Sequence, residues 1–131
     1  KEGAMMSETP MRVLVVDDEI SVRMSLAIYL EEMGYEVFSS GTAAEALGGL
    51  TREPVDVAIV DLSLPDMDGQ TFIAKAHRLC SATRFLIHTG APPLELPDSL
   101  VRLGITTDDI IPKPAFDLDV ITRALERLVA D

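Results

Sequence analysis

Two adjacent carboxylates, Asp17 and Asp18, follow directly on the apolar run Val13-Leu14-Val15-Val16. A third, Asp61, ends the run Val57-Ala58-Ile59-Val60. Thr89 ends Phe85-Leu86-Ile87-His88, and Lys113 follows Ile110-Ile111-Pro112. Short, unbroken apolar runs of this kind are read as strands buried on both faces of a parallel sheet. In an open parallel α/β sheet the ligand crevice lies outside the carboxyl ends of the strands. Three acids, a hydroxyl and an ammonium are therefore expected to converge on one end of one sheet.

Carboxylates held together raise one another's pKa unless a cation meets them. A donor set of a few carboxylate oxygens suits Mg²⁺, which keeps several waters and favours octahedral sites shared with phosphate oxygens. An aspartate on a strand-end loop can act as a carboxylate nucleophile and form an acyl phosphate. That chemistry needs a metal and a positive charge to offset charge on the transferring group. Lys113 supplies the charge, Thr89 can donate a hydrogen bond to a phosphoryl oxygen, and Gly90 leaves the approach open. After Asp61, Pro65 and Gly69 bracket a turn in which Asp68 is the usual turn acid. Neither His77 nor His88 has a second histidine or a cysteine at ligand spacing, and His88 is expected to be a strand residue beside the site.

Five strands alternate with helices to position these groups. Strands are expected at about 12–17, 35–39, 56–61, 84–89 and 109–112, the second alternating in polarity as an edge strand does. The first helix, 20–33, has Ser21 as its candidate N-cap and Gly34 as its C′ residue. Its inner stripe is read as Val22, Leu26, Tyr29, Leu30 and Met33. Thr42 is expected to cap a second helix, weak or short because Gly48 and Gly49 each cost roughly 1 kcal/mol relative to alanine. A third helix covers 69–80. The stretch 91–97 holds three prolines, which break a helix, and is followed by a short helix at 97–103. The last helix, 116–129, presents Leu118, Ile121, Leu125 and Leu128 on one face.

The 131 residues are enough for one domain with a real core. With 47% hydrophobic and 25% charged residues the chain is neither disordered nor membrane-embedded, and no apolar run could span a bilayer. The single Cys80 excludes an internal disulfide, fits a reducing compartment and is read as a small core residue on a helix. A net charge of −11 argues against direct nucleic-acid binding, which needs a basic face. Lys1 to Ala4 reads as an expression scar, and residues 1–10 as a tag-derived, disordered N-terminus outside the domain at 11–131.

The acidic pair Asp17-Asp18, the block Asp61-Leu62-Ser63-Leu64-Pro65-Asp66-Met67-Asp68-Gly69, Thr89, and Lys113-Pro114 occur in that order at strand ends. Together they resemble the receiver (response-regulator) domain of bacterial two-component systems, among them the single-domain chemotaxis regulator, over about residues 11–130. The resemblance implies a doubly wound α/β fold with a five-stranded parallel sheet in the order 2-1-3-4-5 and helices on both faces. It implies that Asp61 is the phosphoacceptor. Asp18 and Asp61 would ligate Mg²⁺ directly and Asp17 through water, with the Ser63 backbone carbonyl completing the protein ligands. Thr89, Lys113 and the backbone N–H groups of Leu62 and Gly90 would hold the phosphoryl oxygens. The Lys113–Pro114 bond would be cis, as is frequent in the family. The domain would be cytoplasmic, would take its phosphoryl group from a sensor histidine kinase or a histidine phosphotransfer protein, and would act on a downstream protein or a fused output domain. No independent enzyme is implied beyond catalysis of its own phosphorylation and dephosphorylation.

Two positions depart from the family pattern. Ile110 stands three residues before Lys113, where an aromatic ring is usual, and the segment from Gly104 to Lys113 is longer than the norm. Output is therefore expected to run through residues 90–112 without an aromatic rotamer change. Other readings fit less well. A haloacid dehalogenase-type aspartyl-phosphate hydrolase needs a second Asp where Ser63 stands, and also a cap domain. A flavodoxin-like protein needs a phosphate-friendly first loop in place of Asp17-Asp18-Glu19. A degenerate receiver, binding partners without phosphorylation, conflicts with the complete acceptor set.

Overall fold

The computed structural model describes residues 9–93, 95–115 and 117–130. Residues 1–4, expected to be a scar, Leu94 of the proline-rich stretch and Phe116 of the expected last helix lie outside them. Along the chain come β1 (Arg12–Val16), α1 (Ile20–Glu32), β2 (Glu36–Ser40), α2 (Ala43–Arg52), β3 (Val57–Val60) and α3 (Gly69–Leu79). They are followed by β4 (Arg84–Thr89), the short α4 (Asp98–Val101), a 3₁₀ turn (Thr107–Asp109), β5 (Ile110–Pro112) and α5 (Asp119–Leu128). All strand pairs are parallel, in the order β2-β1-β3-β4-β5.

Side-chain alternation divides the core between the two faces of this sheet. Leu14, Val16, Ala58, Val60, Phe85 and Ile87 point to the face covered by α2, α3 and α4, where Phe72, Ile73 and Leu100 are buried. Val13, Val15, Val57, Ile59 and Leu86 point to the other face, against Leu26 and Leu30 of α1 and Ile121 and Leu125 of α5. Val16 is in register with Val60, so the residues that follow them, Asp17 and Asp61, leave the sheet side by side.

Helix ends show where local chemistry differs from the sequence expectation. The N-cap of α1 is Glu19 rather than Ser21, with no side-chain cap bond. Met33 lies past the end of α1 and is exposed rather than part of the inner stripe, because Gly34 turns the chain away with a positive φ of 101°. Helix α2 is not shortened by its glycines; it runs unbroken over ten residues. The Thr42 side chain accepts the Glu45 N–H, and Asp66 reaches from the loop after β3 to accept the N–H groups of Ala43 and Ala44 at 2.9 and 3.0 Å. Those bonds satisfy donors that a helix start otherwise leaves unpaired. Cys80 is the C-cap of α3 and half-buried, not a core residue within the helix. Helix α4 has only one turn, and α5 begins at Asp119, later than its periodicity suggested.

Candidate functional site

At the carboxyl end of β1 the Asp17 side chain is buried and its two oxygens are divided between two donors. Oδ1 accepts the Glu19 N–H at 2.9 Å and Oδ2 accepts from Lys113 Nζ at 3.0 Å. Its backbone N–H donates to Ser40 on β2. Burial pushes the Asp17 carboxyl above its ordinary pKa; the Glu19 N–H and the Lys113 ammonium oppose that rise.

Asp61 leaves β3 beside it, anchored by its N–H to the Val16 carbonyl at 3.0 Å. Asp61 Oδ1 accepts the Ser63 N–H at 3.1 Å, and Oδ2 accepts from Lys113 Nζ at 3.0 Å. The loop beyond is held tightly against its own start. Gly69 donates its N–H to the Leu62 carbonyl, and a Cβ at Gly69 would stand 2.6 Å from Leu62 Cα. Only glycine permits that approach. Asp68 closes the loop by capping α3 through the Thr71 N–H.

Lys113 reaches in from the end of β5 and joins the acids. Its Nζ donates to Asp17 and Asp61 at 3.0 Å and to Glu19 Oε1 at 2.6 Å, which uses all three ammonium protons. Burial works against this charge, but the hydrogen bonds to Glu19, Asp61 and Asp17 outweigh it and hold the ammonium's pKa above its ordinary value. The Lys113 N–H donates to the Thr89 carbonyl at 2.8 Å, tying β5 to β4 at this end. The Lys113–Pro114 peptide is cis.

The structure thus brings Asp17, Asp61 and Lys113 together and adds Glu19. One oxygen from each of Asp17, Glu19 and Asp61 lies within 4.8 Å of the others. Three carboxylates facing one ammonium leave net negative charge, and an all-oxygen donor set of that kind fits a hard divalent cation. Asp18 is exposed and stands outside this group of oxygens. Thr89 is fully buried, with its hydroxyl accepting the Ala91 N–H at 3.3 Å; it meets Lys113 through its backbone. Leu62 is half-buried, Ser63 is exposed, and Gly90 is exposed with open space where a side chain would stand.

Sequence reasoning did not assign Glu19 to the site. Its place directly after the acidic pair Asp17-Asp18 was the available signal. His88 proves to be buried with neither ring nitrogen bonded to protein among the described residues.

A family model for the response regulator receiver domain matches residues 13–126. The chain is 35% identical over 118 residues to the transcriptional regulatory protein AruR of Pseudomonas aeruginosa, covering 86% of this chain and 47% of that one. It therefore spans about half the length of that relative. A CheY-like receiver domain structure from Methanospirillum hungatei superposes with a TM-score of 0.81 at 32% identity, covering 92% of this chain and 94% of that one. A response regulator structure from Burkholderia pseudomallei, with a phosphorylated aspartic acid, calcium ion and citrate, has a TM-score of 0.77 and 31% identity. That match covers 88% of this chain and 66% of the other.

Proposed function

The chain belongs to the response regulator receiver domain family, and we propose that it works as a phosphoacceptor whose nucleophile is Asp61 and whose transfer step requires Mg²⁺. The observation that carries this reading is the Lys113 ammonium, held within 3.0 Å of both buried aspartates at the end of the sheet. An ammonium so placed neutralises the acids at rest and is within reach of a phosphoryl group attached to either of them.

In the proposed step an Asp61 carboxylate oxygen attacks phosphorus on a phosphohistidine or an acyl phosphate. The bond from phosphorus to the donor's nitrogen or oxygen breaks, and its electron pair leaves with the donor. Asp61 becomes a mixed anhydride and loses its negative charge. Lys113 then loses one carboxylate partner and turns toward the phosphoryl oxygens, while Asp17 and Glu19 retain its other protons. The Thr89 hydroxyl, which accepts the Ala91 N–H, still has its own proton to donate to the same group, and the N–H groups of Leu62 and Gly90 complete its surroundings. Asp17, Asp18, Asp61 and the Ser63 carbonyl would hold Mg²⁺, which when bound offsets charge on the transferring group. Asp18 is exposed and next in sequence to the buried Asp17.

The proposed donor is a histidine kinase or histidine phosphotransfer protein in the cytoplasm. The proposed readout is a shift in the population of the 90–112 surface, which Thr89 and Lys113 anchor at its two ends, toward a downstream protein or output domain. Ile110 is half-buried against the core and offers no ring to swing, whereas α4 is a single turn held chiefly by Leu100. Labelling with acetyl phosphate, read by intact mass, tests the acceptor. One phosphate per chain is expected with Mg²⁺ and none with a chelator or in Asp61→Asn. Equal labelling of Asp61→Asn would overturn the assignment.

A further inference from the structure

The turn between β1 and α1 is held by a cation other than Lys113. Arg23, half-buried one turn into α1, donates from Nη1 to the backbone carbonyl of Asp17 at 2.7 Å. That carbonyl belongs to the peptide joining Asp17 to Asp18. The peptide after Asp18 is held as well, since the Glu19 N–H donates to Asp17 Oδ1 at 2.9 Å. Upstream, the Asp17 N–H donates to the Ser40 carbonyl at the end of β2 at 3.1 Å. The exposed Asp18 carboxylate makes no hydrogen bond or ion pair of its own among the described residues. Its position is therefore set by the backbone on either side of it.

The fold leaves room for the guanidinium. A Cβ at Gly41, the residue after β2, would stand 3.0 Å from Arg23 Nη1 and 3.5 Å from Arg23 Cζ. Gly41 is not among the glycines with positive φ, so its backbone conformation does not require glycine. What the missing side chain provides is the close approach of Arg23. The guanidinium has no carboxylate partner among the described residues, although it lies beside an acidic turn. Its bond there is to the backbone that carries the acids.

We propose that Arg23 is a positioning residue for the divalent cation. By holding the Asp17–Asp18 peptide it sets the direction in which the Asp18 carboxylate leaves the turn, and Gly41 keeps open the space in which it does so. The proposal rests on reading the acid cluster as a Mg²⁺ site. A ligand with no side-chain restraint must be ordered when metal binds, and a backbone already fixed lowers that entropic cost. Groups that orient metal ligands in this way typically contribute 10–100-fold in affinity.

Charge and position predict opposite signs. A cation near the acids repels Mg²⁺, so on charge alone its removal tightens binding. If Arg23 positions Asp18, its removal weakens binding. An arginine that only supports the fold would lower the melting temperature and leave the affinity unchanged.

The test uses the full chain without a phosphodonor. Mg²⁺ is titrated into wild type, Arg23→Met and Gly41→Val, the amide resonances of residues 17–19 and 61–63 are followed by NMR, and thermal melts are run in chelator. Arg23→Met loses the donors and the charge. Gly41→Val keeps the charge and crowds the guanidinium away from the Asp17 carbonyl, and it decides alone if Arg23→Met does not fold. Arg23→Met should weaken Mg²⁺ binding about tenfold, the lower end of that range, and Gly41→Val should weaken it in the same direction. Mg²⁺ binding to Arg23→Met as tight as to wild type, or tighter, would overturn the proposal whatever the melts show. So would wild-type affinity in Gly41→Val, which would assign any loss in Arg23→Met to something other than the held peptide. Either result, with saturable shifts in wild type, leaves the metal reading standing. A wild type without saturable Mg²⁺ shifts would overturn both.

Discussion

Replacing Lys113 with methionine keeps the length of the side chain and removes its charge, so it isolates what the ammonium does. The Lys113 side chain is 10% exposed and its partners Asp17 and Asp61 are 3% and 5% exposed, which places both pairs in the buried class. Removing one member of a buried pair typically costs about 3–5 kcal/mol, because the remaining charge is left uncompensated. The Glu19 pair is 58% exposed on the acid's side and adds little after solvent screening. A loss near the lower end, about 3 kcal/mol, is therefore expected at pH 7 with a chelator, or roughly 10 °C in melting temperature for a domain of this size.

The pH dependence of that loss follows from the direction of each shift. The raised Lys113 pKa gives wild type a contribution that is complete below the ordinary lysine value of 10.5 and is lost only as pH rises through the higher folded value. It is therefore constant between pH 5 and 7. The Asp17 carboxyl is already raised by burial, and losing the ammonium raises it further. A raised carboxyl destabilises the fold above its folded pKa and ceases to do so as pH falls through it. The deficit of Lys113→Met should thus narrow toward pH 5, and Mg²⁺ at pH 7 should narrow it too. Thermal melts of both proteins at the two pH values, with chelator and with Mg²⁺, provide the assay. A deficit of the same size in all four conditions would refute the electrostatic argument and leave Lys113 as a packing residue.

Three further outcomes are expected. In wild type, Mg²⁺ at ~10-fold excess over its Kd should stabilise the fold by about 1.4 kcal/mol, and Asp18→Ala should lose most of that gain in the same melts; an undiminished response would take Asp18 out of the metal site. Gly48→Ala and Gly49→Ala, whose Cβ atoms would meet nothing within 4 Å, should each stabilise by about 0.5–1 kcal/mol in urea unfolding, with phosphorylation unchanged. Beryllofluoride with Mg²⁺ should alter hydrogen exchange mainly within residues 90–112, and a change confined to α1 and α5 would move the output surface elsewhere.

The strand ends were legible because each of the three central strands is an apolar run, and burial on both faces demands such a run whatever surrounds it. Strand β4 lies at the expected 84–89 for that reason. The inner face of α1 was harder to read, since the helix carries apolar residues on both sides. Ile20, Met24 and Ile28 are exposed while Leu26 and Leu30 are buried, so periodicity alone could not place its edge at Met33. Local propensity also misjudged α2, where the cost of two glycines is offset by the Thr42 cap, the Asp66 bonds and buried Ala46 and Leu50. The Asp66 bonds reach 22 and 23 residues along the chain, beyond what local propensity weighs. The same is true at the site. Asp17, Asp61 and Lys113 could be placed from strand order, but the Glu19 carboxylate joins them through the reach of the Lys113 side chain.

The most direct test of the account is to locate the phosphate itself. Borohydride reduces an aspartyl phosphate to homoserine, so treatment with acetyl phosphate, reduction and peptide mapping identify the acceptor at residue level. Homoserine at position 61 alone, formed only when Mg²⁺ was present, is the predicted result. Homoserine at position 17 or 18, or at 61 to the same extent with chelator, would contradict it.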